Sequence, residues 1–296
     1  MQAVGFIGVG MMGGAIAAQM MERGFPVIAY DRNAESLARL CALGAEQAAS
    51  VRDVADRAEI VLACLPTPDI SSAVAIGKNG VADGAAVKIY ADLSTLGGDT
   101  AMKISDALAQ KSITYIDGAV VGPVFAVKTG TLGALAAGPK AAFERVEPLF
   151  ASFAGCVFYL GDEIGRAQVA KVVANAVSYA GLFAAFEAVA VGLKAGIDME
   201  SLVGIINQGS GSNFHTQKIF PNYIIPGRFE GTGAVEIGVK DVKLFLAEAR
   251  RLHADTPMAE SVSALSVRAA ESGPPGRDTM TLFHYFCDLA GVPRRG

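Results

Sequence analysis

The chain of 296 residues contains few of the side chains that build metal centres and disulfide frameworks, with four cysteines and three histidines. The cysteines are far apart and form no CxxC pair; they are Cys41, Cys64, Cys156 and Cys287. The histidines are scattered and match no metal-ligand spacing. We therefore expect no metal site and no disulfides, and the isolated thiols favour a protein of the reducing cytoplasm.

The sequence also lacks a strong charge of either sign. Lys and Arg number 25 against 29 Asp and Glu, which gives a formal net charge of -4, and no basic block or long acidic tail is present. Nucleic-acid-binding surfaces are usually strongly basic. We expect no nucleic-acid partner.

Convincing membrane signals are missing as well. Residues 1–21 carry no charge, but no basic segment opens them and five glycines interrupt them. Residues 172–186 are also uncharged, yet they are fewer than the ~20 residues that cross a bilayer, and they include Asn175, Ser178 and Tyr179. Neither stretch predicts a signal peptide or a membrane span, so we expect no membrane partner.

What the chain does have is a regular alternation of apolar strands and helices in its first half. The strand-like runs are residues 3–9, 25–31, 59–66, 87–94, 113–121, 131–137 and 156–161. Nearly continuous apolar strands separated by helices indicate a parallel sheet that is covered on both faces. This pattern predicts an α/β domain over residues 1–161.

The second half has a different texture, with long segments rich in Ala, Val and Leu and no convincing strand. The predicted helices are residues 163–195, 199–208, 236–252 and 257–272. Residues 215–233 are rich in Pro and Gly and favour a loop or a broken helix. We predict an all-α domain over residues 162–296, in line with a domain size of ~150 residues.

A glycine fingerprint stands between the first predicted strand and the first helix. It reads GVGMMG and consists of Gly8, Val9, Gly10, Met11, Met12 and Gly13. In a GxGxxG turn the glycines permit a tight turn, close approach of a pyrophosphate, and close packing of helix on strand. The helix N-terminus then faces the phosphates. This context predicts a Rossmann-type domain that binds NAD or NADP.

Two residues at the end of the second predicted strand bear on the choice of cofactor. Asp31 follows Gly13 by 18 residues, where a carboxylate accepts hydrogen bonds from a ribose 2′-hydroxyl and repels a 2′-phosphate. Arg32 comes next and is able to pair with that phosphate instead. We favour NAD, with NADP as the alternative.

Further motifs follow in order along the chain. They are Asp92-Leu93-Ser94-Thr95, the glycine-containing segment 117–132, Gly165 through Lys171 to Asn175, and Lys240-Asp241. Together with the GxGxMG fingerprint they resemble the motifs of the β-hydroxyacid dehydrogenases, the family of 3-hydroxyisobutyrate dehydrogenase. The resemblance spans nearly the whole chain. It implies an oxidoreductase that moves hydride between NAD(P) and a β-hydroxyacid or its semialdehyde.

The resemblance also implies a catalytic role for Lys171, as the general acid/base at the reacting hydroxyl, with Asn175 orienting substrate or lysine. Both residues share one face of a helix, since they are four apart. An apolar neighbourhood disfavours the ammonium form, so such a lysine exchanges a proton more readily near neutral pH. The alternative to a catalytic role is a structural one, in which the lysine extends along an apolar surface and places its ammonium in water.

Other members of the implied site come from strand ends and from the helical domain. Ser94 and Thr95 would lie beside the substrate and the nicotinamide, and Leu65 and Pro66 would flank the nicotinamide. Lys240 would close over the cofactor. In this family the helical domain commonly forms dimers or tetramers, so the resemblance also implies a homo-oligomer.

The predicted substrate loop departs from the family pattern D-A-P-V-S-G-G. Val121 stands where many members have serine, Gly122 is kept, and Pro123 replaces the second glycine. The loop thereby loses a hydroxyl and a backbone N–H, for which Lys128 could compensate. The substrate would then be bulkier or less acidic than a small β-hydroxyacid.

Two alternative functions remain open from the sequence. The segment GAVVGP is similar to one in imine reductases, which share this scaffold but usually carry Asp or Tyr at the position of Lys171. A non-catalytic dinucleotide-binding protein is a third possibility, although such a protein would be expected to lose the lysine or the fingerprint.

Overall fold

The computed structural model describes residues 2–294, and the chain forms two compact units, Met1–Lys171 and Val172–Gly296. The strands that it shows are β1 (Val4–Ile7), β2 (Val27–Tyr30), β3 (Glu46–Gln47), β4 (Ile60–Ala63), β5 (Ile89–Asp92), β6 (Thr114–Val121), β7 (Gly133–Ala137) and β8 (Cys156–Tyr159). They form one sheet in the order β3-β2-β1-β4-β5-β6-β7-β8.

The sheet of the first unit is mostly parallel. All neighbouring strands pair in parallel except β6 and β7, which run antiparallel. The expected parallel sheet is therefore confirmed for β1 to β6 and corrected at β7, because the connection over residues 122–132 is shorter than the roughly dozen or more residues that a crossover to a parallel neighbour takes. β3 was not predicted, since two exposed polar residues carry no strand pattern.

Helices cover both faces of this sheet. They are α1 (Met11–Glu22), α2 (Ala34–Cys41), α3 (Val51–Arg57), α4 (Pro68–Ile76), α5 (Gly98–Ala109), α6 (Phe125–Thr129) and α7 (Lys140–Phe153), with a short 3₁₀ turn at Val81–Asp83. The side chains of Asn33, Ser50 and Thr67 accept a backbone N–H at the starts of α2, α3 and α4, which fixes where those helices begin. Separate apolar cores lie on the two faces.

The second unit is helical. Its helices are α9 (Met199–Gln208), α10 (Val235–Arg251), α11 (Pro257–Glu271) and α12 (Leu282–Ala290), and it also contains most of α8 (Arg166–Lys194) and a 3₁₀ turn at Thr279–Thr281. Of the predicted loop or broken helix over residues 215–233, His215–Ile224 form a π-helix, and the residues that follow run in turns and irregular backbone. Phe186, Phe220, Phe283 and Phe286 pack against one another in the core of this unit.

α8 is the one helix, among those described, that is long and apolar enough to cross a membrane. Its most apolar window has a mean hydropathy of 1.7. Leu182, Phe183 and Phe186 of this helix lie in the buried core of the second unit, as the apolar face of a core helix does. The predicted class, a Rossmann-type α/β unit followed by an all-α unit, is confirmed.

Helix α8 also bears on where the two units divide. The sequence places a boundary near residue 161, whereas the compact units divide between Lys171 and Val172. The first six residues of α8 thus belong to the α/β unit. The domain boundary at residue 161 stays a prediction.

Candidate active site

The turn between β1 and α1 has the backbone that the glycine fingerprint requires. Gly8 has φ of 86°, and a Cβ there would lie 2.4 Å from the carbonyl oxygen of Cys64. A Cβ on Gly13 would lie 2.0 Å from the carbonyl oxygen of Gly8. Neither position tolerates a side chain, so both glycines are needed to bring helix and strand together.

Gly10 differs from the other two glycines, and this difference tests whether a dinucleotide fits. A Cβ on Gly10 would meet nothing within 4 Å. Gly10 precedes the first residue of α1, no side chain caps this helix, and its first turn contains no acidic residue. An open space beside an uncapped helix N-terminus suits the pyrophosphate of NAD or NADP. The residues present fit the cofactor.

Asp31 ties the end of β2 to this turn. One carboxylate oxygen accepts the backbone N–H of Val9 at 2.7 Å, and the other accepts the N–H of Asn33 at 2.7 Å. The carboxylate is therefore held at the rim of the turn with lone pairs left over, since each oxygen accepts more than one hydrogen bond. Arg32 is exposed beside it.

The ends of β4 and β5 are joined through Ser94. Its Oγ accepts the backbone N–H of Leu65 at 2.7 Å, and its own N–H donates to Asp92 Oδ1 at 2.9 Å. Ser94 is buried, at 3% exposure. Its hydroxyl is thus engaged inside the unit. Beside this link, Pro66 is exposed and Thr95 is half-buried.

Asp92 is a site residue to which the sequence assigned no role of its own. It is fully buried, and the Tyr90 hydroxyl donates to its Oδ2 at 3.2 Å. Burial raises the pKa of this carboxyl, against the hydrogen bonds from Ser94 that lower it. The signal for it in the sequence is a carboxylate within an otherwise apolar strand, which is rarely buried without partners.

A second buried carboxylate, Asp117 on β6, holds the start of α8. Its Oδ2 accepts the N–H groups of Gly165 at 2.8 Å and Ala167 at 3.0 Å. Burial raises the pKa of Asp117 to about 6 in spite of these bonds. A carboxylate at the first turn of a helix satisfies free N–H groups and opposes the positive end of the helix dipole.

Gln168 is fully buried and is the second side chain that holds this turn. Its Oε1 accepts the N–H of Leu96 at 2.7 Å and of Gly97 at 3.2 Å. Its Nε2 lies within hydrogen-bonding distance of three acceptors: Ser94 O at 3.1 Å, Asp117 Oδ1 at 3.1 Å and Gly118 O at 2.8 Å. Sequence reasoning missed both Asp117 and Gln168, although both lie within the motifs.

The predicted substrate loop begins where β6 ends, at Val121. Gly122 has φ of 133°, a conformation that favours glycine. The Pro123 carbonyl accepts the N–H of Ala126 and so starts the first turn of α6. Lys128 on α6 is exposed. The predicted substrate loop is thus an ordered turn, and Lys128 follows it closely in the sequence.

Lys171 and Asn175 lie on α8, one turn apart on the same face of the continuous helix. In the second unit, Asn175 Nδ2 donates to Asp241 Oδ2 at 2.7 Å. Lys240 Nζ lies 3.0 Å from Asp241 Oδ1. Asp241 is buried, at 5% exposure, so it fixes the Asn175 amide and the Lys240 ammonium together. That Lys240 closes over the cofactor stays a prediction.

Further along the same face, Ser178 is joined to His215 at the start of the π-helix. His215 Nε2 lies 2.8 Å from the Ser178 carbonyl oxygen and 3.1 Å from its hydroxyl. Burial lowers the pKa of His215 to about 4, so the ring is neutral at pH 7. Nothing in the sequence pattern pointed to this pair, because 37 residues separate its members.

Comparison with known families covers both units. Residues 3–161 match the family model of the NAD binding domain of 6-phosphogluconate dehydrogenase. Residues 165–286 match the model described as NAD-binding of NADP-dependent 3-hydroxyisobutyrate dehydrogenase. The two matches follow the order of the α/β and helical units.

Individual proteins agree with the family models. The chain is 31% identical over 265 residues to 3-hydroxyisobutyrate dehydrogenase of Pseudomonas aeruginosa, covering 87% of this chain and 89% of that protein. The crystal structure of 3-hydroxyisobutyrate dehydrogenase from Salmonella typhimurium superposes with a TM-score of 0.87 at 24% identity, covering 96% of this chain and all of that one (100%).

An imine reductase of Streptomyces aurantiacus shares the fold more distantly, with a TM-score of 0.66 at 22% identity over 96% of this chain and 99% of that one. The glycine turn, the motif order and the matches to both family models agree on one assignment. The protein belongs to the β-hydroxyacid dehydrogenases, the family of 3-hydroxyisobutyrate dehydrogenase, and is an NAD(P)-dependent dehydrogenase that acts on a hydroxyacid.

Proposed function

We propose that this dehydrogenase interconverts a β-hydroxyacid and its semialdehyde, with Lys171 as general acid/base. The observation that supports it best is the fixed neighbour of Lys171 on α8. The Nδ2 of Asn175 is committed to Asp241, which leaves the Asn175 carbonyl oxygen as an acceptor for the Lys171 ammonium or a substrate hydroxyl. A lysine with an oriented acceptor one turn away is arranged to take up and return a proton.

In the oxidation direction, the Lys171 amine takes the hydroxyl proton of the substrate, and in reduction its ammonium returns it. When bound, the nicotinamide dinucleotide supplies or accepts the hydride at the same carbon. Asn175 holds the hydroxyl in line with the amine. Thr95, half-buried three residues after the end of β5, orients the reacting carbon of the substrate toward the cofactor.

The proposed substrate loop sets the class of substrate. Pro123 has no N–H to donate, and the Val124 and Gly122 N–H groups remain as backbone donors for a carboxylate, with Lys128 as the nearby cation in sequence. Val121, half-buried at the end of β6, presents an apolar surface instead of a hydroxyl. We infer a hydroxyacid with a larger apolar substituent than 3-hydroxyisobutyrate.

The first experiment is the variant Lys171→Ala in the full-length enzyme. We expect kcat to fall by about 10³-fold, since removal of a general acid/base forfeits 10²–10⁴-fold, while the Kd of NAD(H) changes little. Lys194→Ala, at the other end of α8, is the matched control and keeps its activity. Retention of most activity in Lys171→Ala would refute the lysine mechanism.

A second candidate function is imine reduction, which the unusual Val121-Gly122-Pro123 loop favours because it has fewer donors for a carboxylate. An absorbance screen of NAD(H) and NADP(H) turnover over hydroxyacids, semialdehydes and cyclic imines separates the two functions. Turnover of cyclic imines alone would reject the hydroxyacid proposal. The presence of Lys171 supports alcohol and carbonyl chemistry.

We also propose that the protein is a cytoplasmic homo-oligomer, a dimer or a tetramer. Val173, Val177 and Val191 of α8 are 46%, 71% and 61% exposed and lie on one face of that helix. A contiguous apolar face of this kind is usually covered by another chain. The described cysteines are all free thiols, as suits the cytoplasm.

A further inference from the structure

We propose that Asp117 and Gln168 are positioning residues that set the placement of Lys171 against the substrate loop; this inference rests on the proposed role of Lys171. Gln168 precedes Lys171 by three residues on α8, a rise of ~4.5 Å along the same helix. Whatever fixes the first turn of α8 therefore fixes the backbone that carries the lysine.

The contacts of Gln168 lead to the proposed substrate-facing segments of the first unit. Its Oε1 holds the backbone of Leu96 and Gly97, directly after Thr95. Its Nε2 reaches the carbonyl oxygen of Gly118, three residues before Val121 on β6. One side chain thus sets the distances among the Ser94–Thr95 segment, the strand that leads into the loop, and the helix of the lysine.

Asp117 fixes the same turn from the sheet. Its Oδ2 accepts two N–H groups of the α8 start, while its Oδ1 faces Gln168 Nε2. Both side chains are fully buried, so water cannot replace a lost partner and the helix start has a single satisfied register. An apolar contact would permit sliding of the helix, whereas these directional bonds do not.

A purely structural brace and a positioning device predict different kinetics. Loss of a brace lowers the melting temperature and leaves turnover per folded molecule unchanged. Loss of a positioning device misplaces the reacting groups, and a shift of 1 Å costs about 10²-fold in rate. Cofactor binding at the β1–α1 turn, which contains neither residue, should stay the same in both cases.

The test compares Gln168→Met and Asp117→Asn in the full-length enzyme. Gln168→Met keeps the side-chain length and removes every hydrogen bond; Asp117→Asn keeps an acceptor for the helix N–H groups and turns an NH₂ toward the Gln168 amide. We expect kcat at saturating substrate to fall at least tenfold in both, with the Kd of NAD(H) within about threefold of the wild-type value.

Val146→Ala on α7, a fully buried site in the core of the same unit, is the control for simple destabilisation and keeps its kcat. If Gln168→Met does not fold, Asp117→Asn alone decides. Wild-type kcat in the folded Asp117→Asn variant, with only a lower melting temperature, would overturn the positioning role. Activity retained in Lys171→Ala would instead overturn the proposed function, so the two failures are distinguishable.

Discussion

The carboxylate of Asp31 has a structural role at the rim of the β1–α1 turn, and we propose that it also selects the cofactor. It holds the Val9 N–H within the turn and the Asn33 N–H before α2. We expect its negative charge to face the adenosine ribose, as an acidic residue at the end of the second strand does in Rossmann folds. A replacement of Asp31 therefore tests cofactor choice without disturbing the turn only if the new side chain still accepts the Val9 N–H.

Asp31→Asn keeps an oxygen for the Val9 N–H and removes the charge, although it gives up the acceptor for the Asn33 N–H. We expect the wild-type enzyme to have the higher kcat/KM with NAD, and we expect Asp31→Asn to shift the NADP/NAD ratio of kcat/KM upward about tenfold or more, because the repulsion of a 2′-phosphate is lost. Initial rates with each cofactor measure this. Glu35→Gln, an exposed acid on α2, is the control; a wild-type preference for NADP would contradict the expectation.

The sequence predicts those site residues that belong to a short local motif. The glycines, Asp31, Ser94, Lys171 and Asn175 belong to short motifs with fixed spacing, and the structure gives each a defined backbone position. Gln168 finds its partners 50 to 74 residues away along the chain, and only the folded sheet brings them together. No periodicity or motif chemistry reveals such a partner choice.

At the scale of the elements, the β1–α1 turn contains glycines that the fold requires and one glycine that only cofactor binding would require. Gly8 and Gly13 are required by the turn itself, whereas the Cβ position of Gly10 is open. A methyl group at Gly10 therefore enters the space proposed for the pyrophosphate and disturbs nothing in the protein. Its backbone has φ of -64°, which any residue adopts.

Gly10→Ala is expected to leave the melting temperature unchanged and to weaken NAD(H) binding at least tenfold, as followed by fluorescence titration. Gly204→Ala on α9, where a Cβ also meets nothing within 4 Å, is the control that affects neither binding nor turnover. Unchanged NAD(H) affinity in Gly10→Ala would contradict the proposal that the pyrophosphate binds at this turn.

Most elements follow from apolar pattern and capping residues, and the exceptions have physical reasons. β7 pairs antiparallel with β6, a choice of direction that the apolar pattern of a strand does not encode. The π-helix at His215–Ile224 contains Pro221, and a proline predicts a break because it removes an N–H and crowds the preceding turn. The surrounding apolar core keeps this segment wound instead.

At the scale of the whole molecule, the exposed apolar face of α8 predicts association. Light scattering after size exclusion should give the mass of a dimer or tetramer of the 30.5 kDa chain. Val177→Glu, which buries a charge in the proposed interface, should yield the monomer mass. Leu43→Glu, at a site 66% exposed in the first unit, is the matched control. A monomeric wild-type protein would contradict the proposal.

The start of α8 has a consequence for the modularity of this chain. Asp117 and the Gly118 carbonyl belong to the sheet of the first unit, but their partners lie at residues 165–168. A fragment that ends at residue 161 would leave this carboxylate buried without its helix, whereas one that ends after Lys171 keeps it satisfied. The dinucleotide-binding unit therefore cannot be transferred without the start of α8. A recombinant or fused gene that reuses this unit must include the first turns of α8, and with them Lys171.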